Sequence, residues 1–191
     1  MKRSTILLAV VLISTALCLA QAPAPNAPGA LGVQVSTTNP NDVKDIPSIL
    51  NACYDVISGP AGQKRDWDRM RSLFWPGARL MPVGLPPEKT SYQPRILTVE
   101  EYITRAEPRF AQDGFFENSI ANRVEQWAQI AHVFSTYESR HAKGEAPFAR
   151  GINSFQLFND GQRWWILGIM WEGESQKNPL PEAMLTAPTG K

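Results

Sequence analysis

Two cysteines and two histidines are all that the 191 residues contain, and this scarcity excludes several chemistries. A zinc site draws on clustered Cys and His ligands. Here Cys18 and Cys53 form no closely spaced pair, and His132 and His141 lie nine residues apart on one predicted strand run. No metal site is expected. Charge of either sign is also in short supply: 19 Lys and Arg against 18 Asp and Glu leave a net charge of +1, with nothing basic clustered. That gives no electrostatic basis for binding nucleic acid or an anionic membrane surface. The stretch Gly151-Ile152-Asn153-Ser154-Phe155 lacks the second glycine of a nucleophile elbow, and there is no phosphate-cradling glycine loop. No cofactor is expected, and no internal repeat is present.

Long apolar runs are missing too, except at the N-terminus. Lys2 and Arg3 precede an apolar stretch from Ile6 to Leu19, with small residues at Ala20 and Ala22. This is the layout of an export signal, and the stretch is shorter than the roughly 20 residues of a membrane-spanning helix. Residues 1–20 are therefore expected to be a signal peptide, giving an exported, periplasmic or secreted protein with no membrane attachment after cleavage. Cys18 raises a lipid-anchor alternative, against which stands bulky Leu17 where lipidation signals carry a small residue. Loss of the signal leaves Cys53 alone, so no internal disulfide is expected. Residues 21–41, rich in Pro, Ala, Gly and Asn, read as a flexible linker. Residues 42–174 form the folded domain, and 175–191 a disordered tail.

Within the domain, Ile46, Ile49, Leu50, Cys53 and Ile57 have helical spacing, and Gly59-Pro60 ends the run. Trp67, Met70, Leu73 and Phe74 mark a second, short helix, which Asp66 would cap. The run Ala78–Val83 then reads as a short strand. A third helix starts at Thr98, with Glu101 completing a capping box, and Pro108 should kink or end it. After that the period becomes two. Residues 118–126, 130–141, 150–158 and 163–171 read as successive strands, and Asp160-Gly161 marks a hairpin. Helices followed by an antiparallel meander give an α+β fold.

Charge tests the pairing. Setting Glu138 across from Arg150 as an ion pair puts His132, Phe134 and Thr136 on one face with Gln156, Ser154 and Ile152. Ser135 and Tyr137 then lie opposite Asn153 and Gly151. The last hairpin stays ambiguous by one residue, which exchanges its faces. Strict alternation puts Trp164, Ile166 and Met170 on one side, and Trp165, Leu167, Ile169 and Trp171 on the other. Both faces are apolar, so both should be covered: one by the three helices, the other by a second subunit.

The stretches "RDWDRMRSLFWPGARLMPV", "NRVEQWAQIAHVFSTYESR" and "GINSFQLFNDGQRWWILGIMW" resemble the nuclear transport factor 2-like superfamily, the cystatin-like cone shared with SnoaL-like proteins. The resemblance implies three N-terminal helices packed in a curved antiparallel sheet, a mostly apolar small-molecule pocket, and a homodimer through the outer sheet face. It implies isomerase, dehydratase or cyclase-type acid–base chemistry in some members and non-catalytic binding or interaction in others.

In that frame His132 is a candidate general acid or base, or a histidine hydrogen-bonded in the sheet wall. Tyr54 could polarise a carbonyl, or be a core aromatic with a wet tip. Glu125 (or Asp55) could supply the carboxylate, or lie exposed. Trp67, Tyr102, Ser135, Tyr137 and Asn153 are the candidate ligand contacts, although Asn153 and Ser135 could simply bond each other. The tryptophans at 67, 127, 164, 165 and 171 could line the pocket, or serve core and interface.

Overall fold

A computed structural model describes residues 38–186; the expected signal peptide and most of the linker lie outside them. Asp45 starts the first long helix by accepting a 2.7 Å bond from Ser48 N–H. A short turn of helix, α1 (Pro40–Val43), leads into α2 (Ile46–Ile57), whose Ile49, Leu50, Cys53 and Ile57 are buried as the spacing predicts. Asp66 caps α3 (Trp67–Leu73), accepting from Arg69 N–H at 2.9 Å. Arg65 is buried, and among the described residues it has no carboxylate partner. Its guanidinium instead donates to the carbonyls of Ile57 (2.9 Å) and Gly59 (2.7 Å), satisfying groups freed where α2 ends.

α4 (Val99–Gln112) opens with the capping box of Thr98 and Glu101. Pro108 does not end it. Pro108 and Thr104, whose carbonyl loses its N–H partner, are both on the exposed side, where water can take the bond. Among the described residues no helix is long and apolar enough to cross a membrane.

The helices pack against a six-stranded curved sheet. Its strands are β1 (Phe74–Gly84), β2 (Gln93–Pro94), β3 (Phe116–Trp127), β4 (Ile130–Arg140), β5 (Ala149–Asn159) and β6 (Trp164–Gly173), in the order β2-β1-β6-β5-β4-β3. The meander β3 to β6 is antiparallel as expected. β1 runs parallel to β6, so the sheet as a whole is mixed. The β4–β5 register places His132 across from Gln156, Ser135 from Asn153, Tyr137 from Gly151 and Glu138 from Arg150. The expected Glu138–Arg150 ion pair is not made. Glu138 bonds Arg140 on its own strand, and Arg150 reaches Glu174 at 2.9 Å.

Two bulges then decide the faces. In β6 the register shifts between residues 166 and 168 against β5. Trp164 and Ile166 before it, and Ile169 after it, are therefore all buried against the helices, while Leu167 and Met170 are exposed. The grouping of Met170 with Ile166, and of Ile169 with Leu167, fails because alternation is interrupted. A second bulge, at Ile120 in β3, lets Glu117 share a face with Ser139 while Glu125 shares the opposite face with His132.

The tail also differs from expectation as far as residue 186. Glu174 accepts from Leu180 N–H at 3.0 Å, and a turn of 3-10 helix (Glu182–Met184) lies on the outer sheet face. There Thr136 donates to Met184 O at 2.6 Å and Arg123 donates to Ala183 O. Thr136 is buried as a result.

Candidate functional site

The space enclosed between helices and sheet is a cavity of about 360 Å³. Its walls are largely apolar: Ile57 from α2, Met70 from α3, Leu80 from β1, Phe110 from α4, and Phe155 and Ile169 from the sheet. The polar residues of the lining are Tyr54, Tyr102, Glu117, Tyr137 and Asn153, together with the exposed Arg95, Arg105 and Arg109. A small number of polar groups converging in an apolar hollow is the usual make-up of a small-molecule site.

Glu117 is the chemically distinctive member. Ser58, at the end of α2, accepts from Glu117 N–H at 3.0 Å and bonds the carbonyl of Tyr54, tying the start of β3 to the helix. The side chain then points inward beside Ser139, which donates to Oε2 at 2.7 Å. Asn153 Nδ2 approaches Oε1 at 3.4 Å and also donates to Tyr54 Oη at 3.1 Å. Both amide hydrogens of Asn153 are thereby used, and only this orientation of the amide offers donors to a carboxylate. Tyr54 Oη also bonds Ser135 Oγ, 2.6 Å away, and either hydroxyl can be the donor.

Among the described residues no cation pairs with Glu117. Burial disfavours its charged form more than the Ser139 and Asn153 bonds favour it, and its pKa is pushed up to about 7. Burial likewise raises the Tyr54, Tyr102 and Tyr137 hydroxyls above the ordinary tyrosine range, and the Glu117 charge adds to this. All three are protonated donors near neutrality. Cys53, also in the wall, is pushed up to about 12 by burial and stays a thiol. Glu117 and Tyr54 additionally line a more polar cleft of about 690 Å³, bounded by Asn51, Asp55, Asn118 and Lys143. Glu117 thus lies between an apolar hollow and a more polar cleft.

Of the residues expected at the site, Tyr54, Tyr102, Tyr137 and Asn153 meet at the cavity, and Ser135 stands behind Tyr54. Trp67 does not line it. Trp67 stacks on Phe110 at 6.2 Å and donates to Glu107, forming the wall behind the lining. Trp171 lines the cavity. His132 and Glu125 are neighbours across β3 and β4 but occupy the other face, where His132 Nε2 bonds Ser154 Oγ at 2.9 Å and Glu125 is exposed. The two proposed acid–base groups are therefore separated from Tyr54 by the thickness of the sheet.

Glu117 and Ser139 escaped the sequence reading. Glu117 lies one residue before the strand start expected from alternation, and the Ile120 bulge breaks the parity that would have placed it on the same face as Glu125. Register alone does not find them: extended from its hairpin without a bulge, β3 sets Glu117 opposite Arg140, and only the Ile120 bulge brings it opposite Ser139. Among the described residues no group of three or more His, Cys, Asp or Glu side chains could hold a metal ion.

No protein-family model and no curated protein sequence matches the chain. Solved structures that match it carry the cystatin-like, nuclear transport factor 2-like fold. One is a Nostoc punctiforme protein of unknown function with a cystatin-like fold, at 9% identity and TM-score 0.49, covering 66% of this chain and 86% of that one. Another, from Streptomyces avermitilis, is provisionally described as a dehydratase of the nuclear transport factor 2-like family. It has 13% identity and TM-score 0.48, covering 69% of this chain and 94% of that one. A third, from Parabacteroides distasonis, is provisionally described as a ketosteroid isomerase, with 14% identity and TM-score 0.46, covering 75% of this chain and 99% of that one.

Proposed function

We propose that this chain takes a small, largely apolar molecule into the cavity and moves a proton on it through Glu117. The observation that carries the reading is a carboxyl in an apolar hollow, hydrogen-bonded by Ser139 and Asn153 and without a cationic partner. A group with a pKa near 7 is populated in both forms at neutral pH, which suits it to take a proton and return it.

The ionised carboxylate would remove a proton from a carbon next to a carbonyl. The electron pair moves onto the carbonyl oxygen, which a Tyr102 or Tyr137 hydroxyl stabilises by donating a hydrogen bond. Glu117, now protonated, returns the proton at a different carbon (isomerisation) or to a departing hydroxyl (dehydration). The polar cleft lets the carboxyl re-equilibrate its proton with water. A wholly non-catalytic binder would need no such carboxyl, and a hollow filled by its own tryptophans would leave no space; only Trp171 lines this one.

The reaction class can be tested without the natural substrate. Small cyclic ketones would be incubated in deuterated buffer, and α-proton exchange followed by NMR. Wild-type protein should accelerate exchange and Glu117→Gln should not. If ketones bind but neither protein exchanges their protons, the catalytic reading is wrong and a binding protein remains.

The dimer belongs to the same proposal. Phe134, Leu167, Met170 and Trp75 are exposed on the face opposite the helices, and a second copy would remove that surface from water. Sedimentation at micromolar concentration should show a dimer that Met170→Glu splits; a wild-type monomer would refute it. Export is proposed on the N-terminal layout alone, and mass spectrometry of the secreted product should show a start near Gln21.

A further inference from the structure

The cavity is asymmetric in charge. Its lining holds one carboxyl, Glu117, and three arginines, all exposed: Arg95, just after β2, and Arg105 and Arg109, one turn apart on α4. Arg69, Arg71, Arg140 and Arg150 are engaged by carboxylates, and Arg65, Arg79, Arg123 and Arg163 donate to carbonyl or hydroxyl oxygens. Among the described residues Arg95, Arg105 and Arg109 form no ion pair. Nearby acids are turned to other work: Glu101 closes the α4 capping box and Glu107 bonds the Trp67 indole. No acid other than Glu117 lines the cavity.

Three arginines in the lining of an apolar hollow, in a chain of net charge +1, form a local field that attracts an anion. Guanidinium suits a carboxylate because its planar donors match the two oxygens. An anion at the inner end would be repelled by ionised Glu117 and would lose its hydration among Phe110, Phe155 and Ile169. At the rim it keeps water and meets the arginines.

Resting on the reading of the cavity as a small-molecule site, we infer that the molecule taken up is an apolar carboxylate. Its carboxylate is held at the rim by Arg95, Arg105 and Arg109, and its apolar body reaches inward, carrying the carbonyl on which Glu117 acts. The volume, near the lower end of the ~300–1,000 Å³ usual for ligand pockets, fits a single ring or a short chain.

The test uses matched pairs that differ only in the head group: octanoate against octanol, and phenylbutanoate against phenylbutanol, titrated calorimetrically at low ionic strength. At least one carboxylate should bind about tenfold more tightly than its alcohol, since exposed ion pairs add modestly each and three act together. The pair showing the preference tells whether the body is alkyl or aryl. High salt should shrink the preference, as should the double variant Arg105→Gln/Arg109→Gln, with the ratio moving toward one. Both side chains are exposed, so thermal unfolding should confirm that the variant is folded. If the alcohols bind as tightly as the acids, the rim has no role and the inference fails while the cavity reading stands. If neither member of either pair binds, the cavity reading itself fails. A preference unchanged in the double variant also overturns the inference.

Discussion

Replacing Glu117 by glutamine should make the folded protein more stable above pH 7 and have only a small effect near pH 5. The carboxyl moves from an ordinary value near 4.5 to about 7 on folding, chiefly because burial penalises its charge. Between those values the native state keeps a proton that the unfolded chain has released. Stability therefore falls as pH rises through the window, and levels off above about 7. At about 1.4 kcal/mol per pH unit, the interval corresponds to roughly 3 kcal/mol. Solvent reaching the carboxyl through the polar cleft trims this to about 2–3 kcal/mol. Glutamine keeps the size and an acceptor for Ser139 but carries no charge to bury. Urea unfolding of both proteins at several pH values from 5 to 8 measures the effect as a difference, in which contributions from the histidines and other carboxyls are common and cancel. The Gln-minus-wild-type difference should grow with pH and flatten above 7. A difference that does not change with pH would mean that Glu117 is ionised and well solvated throughout, and the acid–base proposal would lose its basis. A change of the opposite sign would mean a hidden cationic partner.

Tyr54→Phe removes the oxygen shared by Ser135 and Asn153 in a buried setting, and should cost about 1–3 kcal/mol in chemical denaturation; a neutral change would show that the network is not formed. Gly151→Ala puts a methyl group 2.6 Å from Tyr137 Oη and against the Glu172 carbonyl. It should destabilise by about 1–3 kcal/mol and shift the Tyr137 ring resonances, and wild-type spectra would refute that packing. Trp164→Ala, at a 6% exposed position, should cost about 3–5 kcal/mol. Trp165→Ala, on the outer side with Trp75 and Arg163, should cost much less. Equal losses would contradict the placement of the β6 faces.

Alternation and helical spacing are local properties, and they suffice for what was read from residue order. Asp45, Asp66 and Thr98 start helices because their side chains reach backbone donors three residues on. The β4–β5 register follows from residue order because the strands alternate without interruption, so one assumed pair sets all the others. Even there the charge argument reached the right register through an ion pair that does not form: long side chains find other partners, whereas the backbone ladder cannot. The same register groups Ser135, Tyr137 and Asn153 on one face and His132 on the other, but it does not say which of the two faces looks inward.

What the tertiary structure alone decided is where alternation is broken and what lies behind each face. A bulge adds one residue to one strand, and its energy depends on the partner strand and the packing beneath, which no local pattern records. The Ile120 bulge put Glu125 with His132 on the outer face and left Glu117 inside; the β6 bulge did the same for Met170 and Ile169. The chemistry of Glu117 is likewise tertiary. A glutamate is an ordinary surface residue until α2, α4 and the sheet close around it, and only that enclosure raises its pKa to about 7.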